Sequence, residues 1–328
     1  MTWAVDFPRP VLVVSRCLGF EAVRYNGQII RDDFVQLLAS FCEPVVVCPE
    51  VEIELGVPRP PVRLVRRPNE SPALVQRDTG RDVTTEMQAF ADRFLGGLPT
   101  ADGFLLKGRS PSCGLRNVKL YSAPDSTGPM DKATGVFGAA VLARFPSAAV
   151  DDEGRLKNDA LRDRFLTLLF ALARLRRVET SGERAELVEH HARYKYVLMA
   201  YDERGLRVLG RLVAGVAERP WRETMDLYRE RFARALARPA RVGGHVNALQ
   251  HMFGPISDRL AAPERAFFLD QLEDLRAGRA SLAESLALLR SWALRFDDDY
   301  LERQAYLDPY PHALAGTRER GRMGTLSE

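Results

Sequence analysis

Three short apolar runs, PVLVVS ending at Ser15, PVVV ending at Val47 and DGFLLK ending at Lys107, each lead into a segment that carries a cysteine: Cys17, Cys48 and, in GRSPSCG, Cys113. Short continuous apolar runs read as strands buried on both faces, the kind found in parallel sheets. As neighbours in one sheet their carboxyl ends share an edge, which is where open α/β sheets bind ligands. Three sulfurs then face one cleft. The cysteines are far apart in sequence and no C-x-x-C occurs, so neither a zinc ribbon nor a thioredoxin-type pair fits. Two readings remain: buried structural thiols, or an iron–sulfur cluster held by three cysteines with one iron left open.

The chain changes character near residue 155. Before it, strands expected at 11–15, 44–47, 62–66, 102–107 and 116–121 alternate with helices expected near 31–41, 82–96 and 134–144. Such alternation predicts an open, mainly parallel, Rossmann-like α/β sheet over 1–155. After it, 159–177, 183–200, 204–216, 221–238, 240–253, 262–277 and 281–305 carry helical spacing, broken by glycine or proline. An all-α domain is expected over 156–312, with a flexible tail over 313–328.

With 328 residues and 46% hydrophobic content the chain is ample for two globular domains. The densest apolar stretch, FLTLLFALA at 165–173, is too short to cross a bilayer. No basic, then apolar leader opens the sequence. A cytoplasmic protein with no membrane partner is expected. Four irregularly placed cysteines are too few for a disulfide scaffold, and a reducing compartment also suits a cluster.

All five histidines lie at 190 and beyond. Chemistry in the first half must therefore use carboxylates, hydroxyls, lysine, cysteine or a metal. Beside the cysteines stand Glu50 in C-P-E, Ser110 and Ser112 in S-P-S-C-G, and Lys107 at the end of a strand. Cys42 ends the apolar-periodic FVQLLASFC and reads as a small core residue. Arg24 and Arg59 read as solvated surface arginines, with contact to a phosphate as the alternative.

The segments SRCLGFEAVRYNG at 15–27, VCPEVEIELGVPRPP at 47–61 and LKGRSPSCG at 106–114 resemble the three signature segments of the thiouracil desulfidase family. The second half, in HARYKYVLMA, RLVAG, HVNALQHMFG and YLERQAYLDPYP, is similar to the helical domain fused to that family's long members. The resemblance implies a [4Fe-4S] cluster on Cys17, Cys48 and Cys113 with one iron that has no cysteine ligand. It also implies catalytic roles for Glu50 and Ser110, with Ser112 and Lys107 as substrate-binding candidates. Many relatives carry another cysteine where this chain has Val23, which favours three-cysteine ligation. An open iron is a Lewis acid that takes a soft thiocarbonyl sulfur, and Glu50 would deprotonate the attacking water. Long members act on 4-thiouridine in transfer RNA and short ones on free thiouracil. The expected activity is thus non-redox desulfuration of thiolated uracil in transfer RNA; the alternatives are a desulfidase of free thiouracil or thiolated nucleotides, and a cluster-bearing RNA sensor without turnover.

Residues 151–328 carry a net charge of only +2, yet 204–241 hold ten arginines against four acidic residues. Arg207, Arg211 and Arg222 in that stretch are candidates to track a phosphate backbone. In 240–253 the apolar Val242, Val246, Leu249 and Phe253 share one face, while Arg241, Gly244, His245, Asn247 and His251 occupy the other. Arg241, His245 and Asn247 are candidate RNA contacts, extended by His191 and Lys195, with Gly244 permitting close approach.

Overall fold

The computed structural model describes residues 6–315. Within it Arg9–Asn158 form one compact unit, and 6–8 with 159–315 form a second.

The first unit runs β1 (Val11–Ser15), α1 (Asp33–Ser40), β2 (Glu43–Val47), α2 (Pro49–Glu52), β3 (Val62–Val65), β4 (Ala73–Gln76), α3 (Thr84–Gly97), β5 (Gly103–Leu106), β6 (Val118–Tyr121), β7 (Asp131–Ala133), α4 (Val136–Arg144) and β8 (Ala149–Asp152). The expected α/β sheet is present: β2, β1, β5 and β8 lie in that order and every pairing is parallel. Ser15 stands opposite Val47, and Val14 opposite Leu105, so the three apolar runs end level with one another. From β1 the chain goes first to β2 on one side and later to β5 on the other. That reversal makes the end of β1 a topological switch point.

One expectation fails. The runs near 62–66 and 116–121 do not join this sheet but build a second, in the order β4, β3, β6, β7, in which only β3 and β6 are parallel. The hairpin partners β4 and β7 are too short, and β7 too charged, to stand out as apolar runs. Val13, Val47, Phe104 and Leu106 from the parallel sheet bury against Met87 and Phe90 of α3 and Phe137 and Val141 of α4. The rings of Phe90 and Phe137 stack at 6.1 Å.

The second unit is helical: α5 (Asp159–Ser181), α6 (Arg184–Arg193), α7 (Lys195–Tyr201), α8 (Glu203–Ala214), α9 (Trp221–Ala235), α10 (Val242–Ser257), α11 (Ala262–Arg276), α12 (Leu282–Arg295) and α13 (Asp299–Glu302). The single helix expected over 183–200 breaks at Tyr194, where no glycine or proline marks it. There a buried aromatic cluster decides the backbone: Tyr194 stacks on His190 at 4.6 Å and meets Phe232 edge-on. The helix expected over 281–305 stops at Arg295, and the Asp298 side chain caps the short α13. The tail expected over 313–328 lies from 316 onward outside the described residues; His312–Ala315 form a 3-10 turn with Leu314 buried. Among the described residues no helix is long and apolar enough to cross a membrane.

Candidate active site

The carboxyl ends of β1, β2 and β5 open into a cavity of about 300 Å³ whose lining includes Cys17, Cys48 and Cys113. Cys17 sits in the turn leaving β1, where its carbonyl accepts the Ile30 N–H at 2.9 Å. Cys48 is the N-cap of α2, and Pro49 at the first helical position supplies the φ that this start needs. Cys113 lies in the loop after β5, which is clamped by the start of α4. Gly135 N–H donates to Gly114 O at 2.7 Å, Val136 N–H to Pro111 O at 3.2 Å and Gly138 N–H to Ser112 O at 3.0 Å. A Cβ on Gly138 would lie 2.7 Å from Gly114 O, so this approach requires glycine.

All three thiols are free. Burial raises their pKa values, that of Cys17 to about 12, and in Cys17 and Cys113 neighbouring cysteine sulfurs add to the rise. Two buried thiols and a half-buried one, each with its ionisation disfavoured, need positive charge between them before they can all serve as thiolates. That donor set fits a cationic iron–sulfur cluster. Among the described residues no three His, Cys, Asp or Glu side chains are grouped tightly enough to hold a single metal ion. A polynuclear cluster spreads its cysteine ligands more widely than one ion does. Cys42 is fully buried and does not line the cavity.

Glu50 lines the same cavity. Its Oε1 accepts the Ser112 hydroxyl at 2.8 Å, and its Oε2 accepts Arg59 Nε at 2.8 Å. Ser112, expected to bind substrate, has no exposed surface and is not part of the cavity lining; its hydroxyl faces Glu50. Ser110 is half-buried, and its Oγ accepts the backbone N–H groups of Ser112 at 3.3 Å and Cys113 at 3.2 Å. It shapes the loop while remaining on the cavity wall. Lys107 also lines the cavity, but its ammonium is already bound by Gly108 O and Glu153.

Two residues, Glu153 and Ser15, went unread in the sequence, and Arg59 was misread. Arg59 is buried, not solvated, and anchors Glu50. Glu153 holds both Lys107 and the Gly108 N–H, at 2.7 Å for the latter. Ser15, buried at the end of β1, accepts the Lys107 N–H at 2.9 Å. Each follows or flanks an apolar run, which is the only signal its position carries.

The sequence profile described as 2-thiouracil desulfurase matches residues 12–153. Uncharacterized protein YbbK of Bacillus subtilis (strain 168) is 30% identical over 157 residues, 46% of this chain and 100% of its own length. The chain belongs to the 2-thiouracil desulfurase family. Uncharacterized protein YbgA of Escherichia coli (strain K12) is 29% identical over 156 residues, which cover 46% of this chain and 91% of that protein. Residues 195–311 match a family described as a protein of unknown function, DUF1722. A solved structure titled [4Fe-4S]-dependent thiouracil desulfidase TudS is 31% identical, with a TM-score of 0.36, and the similarity covers 45% of this chain and 94% of that one.

The candidates in the helical unit are spread over α6 to α10. Arg207 on α8 is ion-paired with Glu203. Arg222 and Arg241 are exposed. His191 Nδ1 lies 3.2 Å from the Tyr228 hydroxyl, and the Lys195 ammonium sits 5.1 Å from the centre of the Tyr196 ring. His245 and Asn247 are half-buried, and His245 bonds the Tyr306 hydroxyl at 2.8 Å beside a cavity of about 470 Å³ that also holds Asp163 and Tyr310. Gly244 permits close approach of α7, not of a ligand, since a Cβ there would meet Ala200 O at 2.1 Å. A different group stands out. Arg211 shares a surface pocket of about 400 Å³ with Arg219, Arg231, Val208, Leu212 and Leu227, and no hydrogen bond or ion pair within the described residues engages these three guanidinium groups.

Proposed function

We propose that the cavity removes sulfur from a thiolated uracil by hydrolysis of its C–S bond, using a [4Fe-4S] cluster held by Cys17, Cys48 and Cys113 with one iron free of cysteine. The observation that carries this reading is the convergence of three cysteines and one carboxylate at a switch point of the parallel sheet. When bound, such a cluster supplies a soft Lewis acid that favours a thiocarbonyl sulfur over a carbonyl oxygen and withdraws charge from the ring carbon. Glu50 accepts the proton of a water that adds to that carbon. Ser112 and Arg59 fix the carboxylate's direction, and Ser110 remains on the wall to orient the ring or the water. Thiocarbonyl and water give carbonyl and sulfide, so no electrons are exchanged.

For the substrate we propose 4-thiouridine in transfer RNA. The support is the pocket of three unpartnered arginines, because guanidinium groups without carboxylate partners suit phosphate oxygens. Free thiouracil or a thiolated nucleotide is the competing substrate, and a cluster-bearing sensor the competing class. Anaerobically purified protein should contain about four irons and four acid-labile sulfides per chain, as a [4Fe-4S] cluster requires. It should release sulfide repeatedly from 4-thiouridine transfer RNA. Turnover of free 4-thiouracil alone would reassign the substrate, and cluster binding without sulfide release from either would leave the sensor.

A further inference from the structure

Arg59 stands in VPRPP, a segment whose prolines suggest an exposed loop, yet its side chain is only 3% exposed. Burying a guanidinium without partners is costly, so its bonds indicate what it is for. Nε and Nη2 both lie 2.8 Å from Glu50 Oε2. Nη1 donates to Val23 O at 3.0 Å and to Gly56 O at 2.8 Å. The Arg59 backbone N–H donates to Tyr25 O at 2.8 Å. Val23, Arg24 and Tyr25 are themselves cavity walls, supplied by the segment after Cys17, whereas Glu50 comes from the segment after Cys48.

One planar fork therefore ties the Glu50 carboxylate to the segment after Cys17, adding to the Arg16–Glu52 ion pair and the bond from the Arg16 N–H to Val47 O that also join the two segments. It fixes one carboxylate oxygen of Glu50, Ser112 fixes the other, and the side chain has no remaining rotation that keeps both bonds. We propose that Arg59 is a positioning residue of the desulfuration site, setting the direction of the Glu50 carboxylate and the distance between it and the Val23–Tyr25 wall. The inference rests on the functional reading given above. Arg59 itself touches no reacting atom. Its geometry matters because misplacing a reacting group by about 1 Å costs on the order of a hundredfold in rate. Lysine cannot replace it: an ammonium keeps the charge but loses the fixed fork that reaches a carboxylate and two carbonyls together.

The test uses anaerobically purified holoprotein with free 4-thiouracil and with 4-thiouridine transfer RNA, comparing Arg59→Lys, Arg59→Gln, Glu50→Gln and the double change Glu50→Gln with Arg59→Gln. Arg59→Lys should keep the wild-type iron content and visible absorbance while kcat falls roughly ten- to a hundredfold. Once Glu50 is replaced, Arg59→Gln should lower kcat little further, because there is no carboxylate left to aim. A purely structural arginine would instead lower iron content in step with rate, and its loss would multiply with that of Glu50. Wild-type kcat in Arg59→Lys with an intact cluster would overturn the inference while leaving the functional reading in place, as would multiplicative losses in the double change. A wild-type holoprotein that releases no sulfide removes both. If Arg59→Gln does not fold, the Arg59→Lys comparison decides alone.

Discussion

Gly138→Ala tests whether the start of α4 holds the Cys113 loop in register. The added methyl would stand 2.7 Å from Gly114 O and 2.8 Å from Cys113 O, well inside van der Waals contact. Both obstacles are backbone atoms, so no side-chain rotation relieves them. The Gly138 N–H also donates to Ser112 O at 3.0 Å, and any retreat of the helix stretches that bond. Replacing a helical glycine by alanine is ordinarily worth up to about 1 kcal/mol. Overpacking opposes it by about 1–3 kcal/mol, which leaves a net loss of up to about 2 kcal/mol. The loop that yields is the one carrying Cys113, so cluster occupancy should fall as well. Gly96→Ala in α3 is the control, because its nearest neighbour would be the tip of the Arg144 side chain at 4.0 Å. Urea unfolding midpoints, with iron per chain after anaerobic reconstitution, read both effects. A Gly138→Ala protein as stable as Gly96→Ala and fully loaded with iron would refute the clamp.

Cys17→Ser, Cys48→Ser and Cys113→Ser should each lose most cluster iron, because serine oxygen is a hard ligand, whereas Cys42→Ser should keep it; iron analysis decides, and a loaded, active Cys48→Ser protein would break the three-ligand set. Converting Arg211, Arg219 and Arg231 together to glutamine should weaken transfer RNA binding and reduce the salt slope by about three, with sulfide release from free 4-thiouracil unchanged. An unaltered slope would remove the pocket from RNA recognition. Burial holds His190 neutral, lowering its pKa from 6.5 to about 3. Between those values the unfolded chain binds a proton that the folded one refuses, so stability falls as pH drops from 6.5 toward 3 and is unaffected above. His190→Phe should flatten that decline in urea midpoints measured at pH 7, 5 and 4; an equally steep decline would place the acid sensitivity elsewhere.

The parallel sheet was legible because strands covered on both faces need near-continuous apolar residues, and β1 up to Val14 and β5 have them. The cysteines were legible by following those strands. β8, AVDD, was not, since half of it is aspartate that turns toward polar partners at the sheet edge. The second sheet escaped because its strands are three or four residues long and pair mostly as hairpins. Arg59 was misread for a different reason. Its burial is set by Glu50, Val23 and Gly56 together, and no local pattern records a guanidinium satisfied by such separated partners. The break at Tyr194 likewise depends on packing by His190 and Phe232.

Because Cys17, Cys48 and Cys113 sit on strand ends that are adjacent in space but separated by whole crossovers, no stretch of unfolded chain offers two of them as neighbours. A nascent or denatured polypeptide presents isolated thiols, each a weak monodentate ligand. Multidentate binding arises only after β5 has docked beside β1 and the turn at Gly135 has closed on the loop behind it. A cluster held by these three cysteines would therefore be delivered to an architecture that is already formed. This is the reverse of small metallodomains, in which the ion drives folding.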